Sequence, residues 1–398
     1  MNGTYNRNTV CLSHHLLTKE SFFRIKKMRV SLRGKHGWNQ VFSDQFGKKR
    51  WKYLKNELKK KNRLLLYHPH LALSFTTSEY QYCDIEYFQD VAKAYGLKST
   101  GLPDCYIVPD AFNNNANDLS LSMKLPLAYF IDAASCMAAY MLKVKPGNKV
   151  LDFCAAPGGK SLILMSQLFP CLEAFHSSTP VESLLVCHDR CTSRVKRLQS
   201  NIIKRCNPTI WSRKYIQITS SSQKAKLLGP FDKILLDAPC STDRHVMNDP
   251  SKLVMWNEKD VKRNAERQLN LILEALPSLR DTSTARLLYC TCALSTKEND
   301  GVIESLLTKS QYKNVVYAIP PCELIKEMYA ICPDVPVKTS REENATTGDQ
   351  TFKNLLSNPN ELLSLFLPEE TIYGLIFLPD TCRCGPLYVA ALQWCNSM

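Results

Sequence analysis

Two short segments of this chain bring a carboxylate and thiols to places where apolar runs stop. Ile234-Leu235-Leu236 runs into Asp237-Ala238-Pro239-Cys240, and Leu287-Leu288-Tyr289 runs into Cys290-Thr291-Cys292. A free Cys is most often an inert core residue, so one such thiol would mean little. Two at adjacent strand ends, one beside Asp-Pro, are the sharpest constellation in the sequence: Pro fits a strand exit, and an activated thiolate is a nucleophile. Upstream, the apolar run Lys149 to Phe153 opens into Cys154, Ala155, Ala156, Pro157, Gly158, Gly159 and Lys160. Its glycines permit a tight turn and close backbone approach to a ligand at a helix amino terminus, which makes it a cofactor loop.

The next apolar run, Leu184 to Cys187, ends in His188-Asp189. Open nucleotide-binding sheets place there the acid that accepts hydrogen bonds from ribose hydroxyls. An Asp capping the helix that begins near Ser193 is the competing reading; the order of glycine loop first and acid next favours a bound nucleoside. Gly159-Lys160-Ser161 also matches the end of a phosphate-binding loop, and Ile234 to Asp237 imitates the Mg-binding strand of an NTPase. The first glycine of that pattern would fall on Cys154, so the NTPase reading is the weaker one.

The elements that must position these residues alternate. A helical run, Leu127 to Met141, leads through Lys145-Pro146-Gly147-Asn148 into the first strand, and a helix follows from Lys160. Further strands are expected at Leu184 to Cys187, Tyr215 to Thr219, Lys233 to Leu236 and Leu287 to Tyr289, with helices around Arg194 to Ile203 and Ala265 to Leu276. This alternation predicts an α/β fold, a parallel sheet covered on both faces, with ligands at the carboxyl ends of its strands.

The chain has 398 residues, 44% hydrophobic and 22% charged, which excludes collagen, coiled coil and wholesale disorder. Its net charge of +14 lies in residues 1–63, which hold seventeen Lys or Arg against three acids. Residues 1–35, basic with a Phe22, Phe23 and Ile25 group, read as a transit peptide or as a nucleic-acid-binding tail. Lys48 to Arg63 interleaves Trp51, Tyr53, Leu54 and Leu58 with Lys, the pattern of an amphipathic helix with a cationic face. No apolar run reaches the roughly 18 residues of a membrane span, since Pro368, Glu369 and Glu370 break the stretch Leu362 to Leu378. Seventeen Cys in a long chain without a signal peptide read as reduced, intracellular thiols. Cys382 and Cys384 lack zinc-site partners at the usual spacing, so no metal is expected.

With these residues in hand, the stretch from about Met123 to Glu304 resembles the Sun-domain (Fmu/RsmB-type) RNA cytosine-5 methyltransferases. Asp132-Ala133-Ala134-Ser135, Cys154 to Lys160, Asp237 to Cys240, Thr291-Cys292, Leu294-Ser295 and Glu298-Asn299 occur in the family's order. Gln45-Phe46-Gly47, Ser241-Thr242-Asp243-Arg244-His245 and Gly385-Pro386-Leu387-Tyr388 resemble the mitochondrial rRNA branch, with the mitochondrial tRNA branch close behind. The resemblance implies a Rossmann-like S-adenosylmethionine-dependent methyltransferase sheet with helices on both faces. It further implies methylation of cytosine C5 in RNA, expected to be mitochondrial small-subunit rRNA, through a covalent adduct of Cys292 on C6. Cys240 would assist release of the C5 proton, and Asp237 would hydrogen-bond the base. Cys154, Ala155, Ala156, Pro157, Gly158, Gly159, Lys160, Asp189 and Asp237 would hold S-adenosyl-L-methionine, with Arg194 near the ribose. A helical-repeat protein related to mitochondrial termination factors is the implied partner. The other readings are a mitochondrial tRNA methyltransferase and a non-catalytic ribosome-assembly factor of the same fold.

Three departures from the family pattern stand out: Thr219-Ser220-Ser221-Ser222 where an adenine-binding Asp is common, an insertion around His176 to Glu182, and Asp281 to Ala285 in place of a Pro-Gly-Gly turn. The expected organisation is a basic extension (1–35), a basic helical and mixed RNA-binding segment (36–122), and a methyltransferase domain (123–398) with an insertion near 320–370. That insertion is expected to have a flexible middle near Ser340 to Gln350.

Overall fold

The computed structural model describes residues 31–60, 63–67, 85–109, 128–170, 183–331, 365–382 and 384–395. The transit reading of residues 1–30, the insertion at 176–182 and the expected flexible middle at 340–350 lie outside them. In chain order come α1 (Gly34–Phe46), α2 (Lys48–Glu57), β1 (Arg63–Leu66), α3 (Ile85–Ala94), β2 (Lys98–Ser99), β3 (Cys105–Ile107), β4 (Tyr129–Asp132) and α4 (Ala133–Met141). The alternating part follows: β5 (Lys149–Asp152), α5 (Gly159–Leu168), β6 (Leu184–His188), α6 (Thr192–Ile203), α7 (Pro208–Ser212), β7 (Ile216–Thr219), α8 (Ser222–Lys226) and β8 (Lys233–Asp237). The chain continues with α9 (Asp243–Asn248), α10 (Pro250–Met255), α11 (Glu258–Ala275), β9 (Arg286–Thr291), α12 (Asp300–Lys309), β10 (Val316–Ala318), α13 (Pro321–Ile331), β11 (Glu369–Glu370), β12 (Leu375–Phe377) and β13 (Leu387–Trp394).

The main sheet runs β11-β12-β13-β9-β8-β5-β6-β7, with β10 paired to the far end of β13. The five strands expected from the sequence are mutually parallel, and β13 joins β9 antiparallel. Period-two alternation decides which face each side chain covers. Val150, Leu185, Leu235 and Leu288 point into one core with α4, α5 and α6; Leu151, Val186, Ile234, Leu236 and Leu287 point into the other with α11 and α12. Each such fully buried aliphatic side chain contributes about 1.5–3 kcal/mol. Because the chain builds β5-β6-β7 outward and then returns to place β8 on the other side of β5, the order reverses between β5 and β8. Crevices at such reversals are where open α/β sheets bind ligands.

Several elements differ from the sequence-based expectation. The helix expected over Leu127 to Met141 is a strand followed by a helix. Tyr129-Phe130-Ile131, β-favouring residues, pair with β1 in a small antiparallel sheet ordered β2-β3-β1-β4. Asp132 then caps α4 by accepting from the Ala134 amide at 2.9 Å. The helix expected over Lys48 to Arg63 ends at Glu57, and Arg63 opens β1. Trp51, Leu54 and Leu58 are buried in the same core as Trp38, Leu236 and Val261, so α1 and α2 are part of the main sheet's cover. With β4 pairing β1, the expected boundary at residue 122 divides both units.

The carboxyl-terminal strands were not anticipated. They are held by Asp300, whose carboxylate accepts from the Thr371 hydroxyl (2.9 Å), the Ile372 and Tyr373 amides (3.1 Å each) and the buried Tyr388 hydroxyl (2.7 Å). Asp300→Ala leaves these donors without an acceptor, and the expected loss is about 2–4 kcal/mol of unfolding free energy by urea denaturation.

Candidate active site

The crevice between β5 and β8 is lined by Tyr129, Phe130, Ile131, Asp132, Ser135, Asp152, Cys154, Ala155, Ala156, Pro157, Gly159, Lys160 and Asp237. Two glycines shape its floor. Gly158 adopts φ +108°, where an L side chain is strained, and a Cβ there would meet Leu198 at 3.0 Å. A Cβ on Gly159 would lie 2.9 Å from the Tyr129 ring. The loop therefore brings its backbone against β4 and opens α5 toward the crevice.

Lys160, the second residue of α5, reaches across the crevice mouth to Asp237 at the end of β8, with Nζ 2.6 Å from Oδ2. Burial works against the ammonium, but Asp237 more than offsets it, and the Lys160 pKa is raised. Asp152, at the end of β5, is fully buried and accepts from the Ser161 hydroxyl at 2.6 Å. Its other oxygen accepts no hydrogen bond among the described residues. Burial pushes the Asp152 carboxyl up to about 7, and the Ser161 hydroxyl offsets only part of that. These contacts dispose of the NTPase reading: Ser161 is buried and bonded to Asp152, and Lys160 is committed to Asp237, so neither serves a Mg-phosphate group.

Asp189 lies just beyond β6 and beside the crevice, outside its lining. It is not a helix cap; Cys191 holds that position ahead of α6. Its Oδ1 accepts from the Cys191 amide at 3.0 Å, and Oδ2 faces Arg194 Nη2 at 3.2 Å. The same Arg194 nitrogen donates to the Ala156 carbonyl at 2.6 Å and so ties the ribose-type acid to the glycine loop. At the third strand end, Thr219 and Ser221 spend their hydroxyls on local amides of Ser221 and Lys224.

Beyond Asp237 the chain leaves the sheet through Pro239 to Cys240, while β9 ends one residue before Cys292. The two sulfurs are 3.1 Å apart and half-buried. The hydrogen bond to Cys292 and then burial push the Cys240 thiol well up. Cys290 is fully buried in the core, and burial raises its pKa. Cys382 and Cys384 are likewise buried, with sulfurs 3.5 Å apart. No cluster of metal-ligating side chains occurs among the described residues.

The two thiol-bearing loops are held by carboxylates. Glu298 accepts from the amide and hydroxyl of Ser241 and from Gln268 Nε2 at 2.8 Å; burial lifts its pKa to about 7. Asp243 accepts from the Leu294 amide at 2.8 Å and from Trp38 Nε1 at 3.3 Å; burial lifts it to about 6. Asp132 lines the crevice, accepts from the Gly385 amide at 3.1 Å and faces Arg244 at 3.5 Å. Asp132, Asp152 and Tyr129 were not read from the sequence as lining residues. Asp152 had a signal, since it is the carboxylate at the strand end directly before the glycine loop. Tyr129 had none, because its strand is defined only by pairing with β1.

A doubly wound sheet with a glycine loop, a ribose-type acid and a crevice at the β5/β8 reversal defines a Rossmann-like methyltransferase fold. Residues 139–325 match the sequence profile described as 16S rRNA methyltransferase RsmB/F. Across that segment the chain is similar to the RsmB/F family. It is similar to a mouse mitochondrial tRNA (cytosine(34)-C(5))-methyltransferase, 31% identical, covering 67% of this chain and 63% of the relative. A bovine 5-cytosine rRNA methyltransferase NSUN4 is 30% identical over 45% of this chain and 44% of its own length. A human 28S rRNA (cytosine(4447)-C(5))-methyltransferase is 33% identical over 47% of this chain and 22% of its own. The chain thus spans between 22% and 63% of the length of these relatives. In fold it resembles NSun6 from Pyrococcus horikoshii (TM-score 0.57, 16% identity, 89% of this chain and 97% of that one). A methyltransferase homologue from the same organism gives TM-score 0.53 at 19% identity, over 88% of this chain and 94% of that one.

A carboxyl whose folded pKa is raised from 3.8 to about 7 stabilises the fold fully below the lower value and loses that contribution as pH rises through the upper one. Asp152→Asn removes the titration. The expected result is that unfolding free energy falls between pH 5 and pH 8 more steeply in the parent than in the variant, by on the order of 2 kcal/mol, in urea titrations at the two pH values.

Proposed function

We propose that this chain methylates C5 of cytosine in RNA, and that the thiol pair Cys240–Cys292 beside Asp237 carries the chemistry; the 3.1 Å sulfur separation is the observation on which the reading rests. The crevice fits S-adenosyl-L-methionine, a cationic ligand. Asp132, Asp152 and Asp237 line it, one buried Asp152 oxygen has no donor among the described residues and suits a ligand ammonium, and the glycine floor is shaped for close approach. Cys154 to Lys160, Asp189 and Asp237 would hold it, with Asp189 accepting from ribose hydroxyls alongside Arg194. When bound it supplies an electrophilic methyl group.

C5 of cytosine is a poor nucleophile. In the proposed sequence the Cys292 thiolate bonds to C6, and the ring electrons move to C5, which becomes enamine-like. Asp237 hydrogen-bonds the base near N3 and N4 and favours the protonated, more electrophilic ring. Lys160 holds Asp237 in place for this. Once Cys292 is a thioether, the hydrogen bond that most raises Cys240 is gone. Cys240 can then pass its own proton to water and, once C5 carries the methyl group, take the C5 proton; the C6–S bond breaks to release product and restore the Cys292 thiolate. A base must leave its stack to enter such a pocket, so single-stranded or loop RNA is the fitting substrate. On α2, Lys48 and Lys52 are exposed beside the buried Trp51 and Leu54 stripe, and exposed Lys59 follows just past the helix end, a surface suited to phosphates. Burial first, then Lys35 and Lys59, lowers the Lys55 pKa.

Mitochondrial small-subunit rRNA is the substrate in this reading, on the strength of the rRNA-branch motifs and of likeness to the NSUN4 rRNA methyltransferases, and the mitochondrion the compartment, on likeness to the mitochondrial tRNA enzyme. A mitochondrial tRNA is the second reading, favoured by the longer reach of the mouse tRNA-enzyme alignment, 268 residues. The helical-repeat partner rests on the family resemblance. A non-catalytic assembly role is disfavoured by the retention of both thiols, Asp237 and the glycine loop. Among the described residues no helix is long and apolar enough to cross a membrane.

With labelled cofactor and rRNA, Cys292→Ala is expected to abolish methyl incorporation and form no covalent RNA adduct. Cys240→Ala is expected to accumulate an adduct on denaturing gels while slowing turnover by about a hundredfold or more. The reverse adduct pattern exchanges the two roles. Bisulfite sequencing after depletion is expected to show loss of one methylated cytosine in mitochondrial small-subunit rRNA; loss confined to a mitochondrial tRNA selects the second reading.

A further inference from the structure

The loop from Cys292 to Asn299 has no regular structure, yet it must hold a reacting sulfur to within about 0.5 Å. Part of its support is internal. The Thr291 hydroxyl donates to Asn299 Oδ1 at 2.7 Å, and Asn299 Nδ2 donates to the Ala293 carbonyl at 3.1 Å. The next residue, Leu294, is held from outside at both backbone groups. Its amide donates to Asp243 Oδ2 at 2.8 Å, and its carbonyl accepts from Gln45 Nε2 at 2.7 Å. Gln45 Oε1 also accepts from the Thr296 amide at 3.4 Å. Trp38, about two turns earlier on α1, donates from Nε1 to Asp243 Oδ1 at 3.3 Å. Two residues of one amino-terminal helix thus reach a loop about 250 residues away in sequence, one directly and one through Asp243.

We propose that α1 is a positioning element for the nucleophile: Gln45, and Trp38 acting through Asp243, set the path of Leu294 and thereby the placement of Cys292. The role assigned to Cys292 rests on the proposed function. The contacts around it do not. α1 is well placed to transmit position because it is rigidly seated. Trp38 and Phe42 are fully buried and meet edge to face, Trp51 of α2 closes on both, and the Gly34 amide donates to the Trp256 carbonyl at 2.8 Å. A small residue at position 45 would leave the Leu294 carbonyl and the Thr296 amide to water, and the loop would gain freedom two residues from the sulfur. A nucleophile misplaced by about 1 Å loses up to about a hundredfold in rate.

The experiment uses the full chain with Gln45→Ala, Gln45→Glu, Trp38→Phe and, as control, Asn39→Ala. Asn39 lies on the same helix and bonds Trp51 and Lys55, away from the loop. The first readout is the rate of Cys292 alkylation by N-ethylmaleimide, followed by peptide mass spectrometry without RNA or cofactor. The second is kcat and KM for the methyl donor and for RNA. Gln45→Ala is expected to change the Cys292 alkylation rate by about threefold or more and to lower kcat about tenfold, with both KM values within about twofold. Gln45→Glu keeps the acceptor toward Thr296 but loses the donor toward Leu294, and is expected to fall between the parent and Gln45→Ala. Trp38→Phe keeps a buried ring and loses only the Nε1 donor, so it should follow the same direction; Gln45, half-exposed, decides the matter if Trp38→Phe does not fold. Unchanged alkylation and kcat in folded Gln45→Ala, or an effect equalled by Asn39→Ala, overturns the proposal. A rise confined to KM for RNA also overturns it and makes α1 an RNA contact. If the parent transfers no methyl group, the functional reading fails, and the alkylation rates still decide the positioning role.

Discussion

Carboxylates buried at the carboxyl edge of the sheet shape everything around them, because a carboxylate taken out of water is tolerated only where donors converge on it. Asp243, Glu298 and, partly, Asp132 all stand there, and the donors they collect include loop amides: Ser241, Leu294 and Gly385. Each of those amides belongs to a segment with no ladder of its own. The acids therefore act as fixed points to which otherwise irregular backbone is tied. That is why the loops leaving β8 and β9 stay close enough for two sulfurs to meet at 3.1 Å. Folding and chemistry draw on the same contacts in this region, so the price of the acids' burial is tied to the placement of the thiols.

Asp237 differs from the others. It is a third exposed and is matched by one ammonium, where Asp243 and Glu298 are each matched by more than one neutral donor. The pairing to Lys160 at the crevice mouth engages one of its oxygens, Oδ2. Asp152, a few residues from Lys160 and on the neighbouring strand, has its charge opposed by burial and part of its hydrogen-bonding capacity unspent. Two acids on adjacent strand ends are thereby suited to different jobs. One is fixed by an ion pair, and the other is an acceptor with an oxygen left unpaired among the described residues.

What was legible in the sequence follows from the range of the interactions involved. The parallel strands were visible because both faces are covered and each strand is a short apolar run; the glycine loop and the thiols were visible because they lie directly at the strand ends. Tyr129 to Asp132 was misread as helix because its pairing partner, Arg63 to Leu66, lies more than sixty residues earlier and its apolar character suits either structure. The edge strands β11 to β13 escaped notice for a similar reason. Gly374 and Gly385 interrupt their pattern, and both are required by close approach, since a Cβ at either would come within 2.4 Å of a backbone carbonyl. Asp189 and Asp237 could be picked out as strand-end acids, but not that Arg194 would cover the first and Lys160 the second. Side-chain pairings across a crevice leave no periodic trace.

The amino-terminal charge takes on a different meaning in three dimensions. A run of Lys between Lys48 and Arg63 reads as one cationic helix, and its composition points toward RNA. In the fold, the apolar residues between those lysines, Trp51, Leu54 and Leu58, complete the core on which β8 and α11 also pack. Arg50 turns inward to pair with Glu369 and Asp380, and so ties α2 to the carboxyl-terminal strands. The helix therefore has two faces with separate duties: the buried one seats α1 and through it the loop after Cys292, and the exposed one carries Lys48 and Lys52. Phosphate contacts made there would act on a helix that is mechanically continuous with the nucleophile's support. The basic character of the segment and its place in the core are consequently parts of one arrangement, in which the exposed lysines and the contacts that seat the loop after Cys292 belong to the same pair of helices.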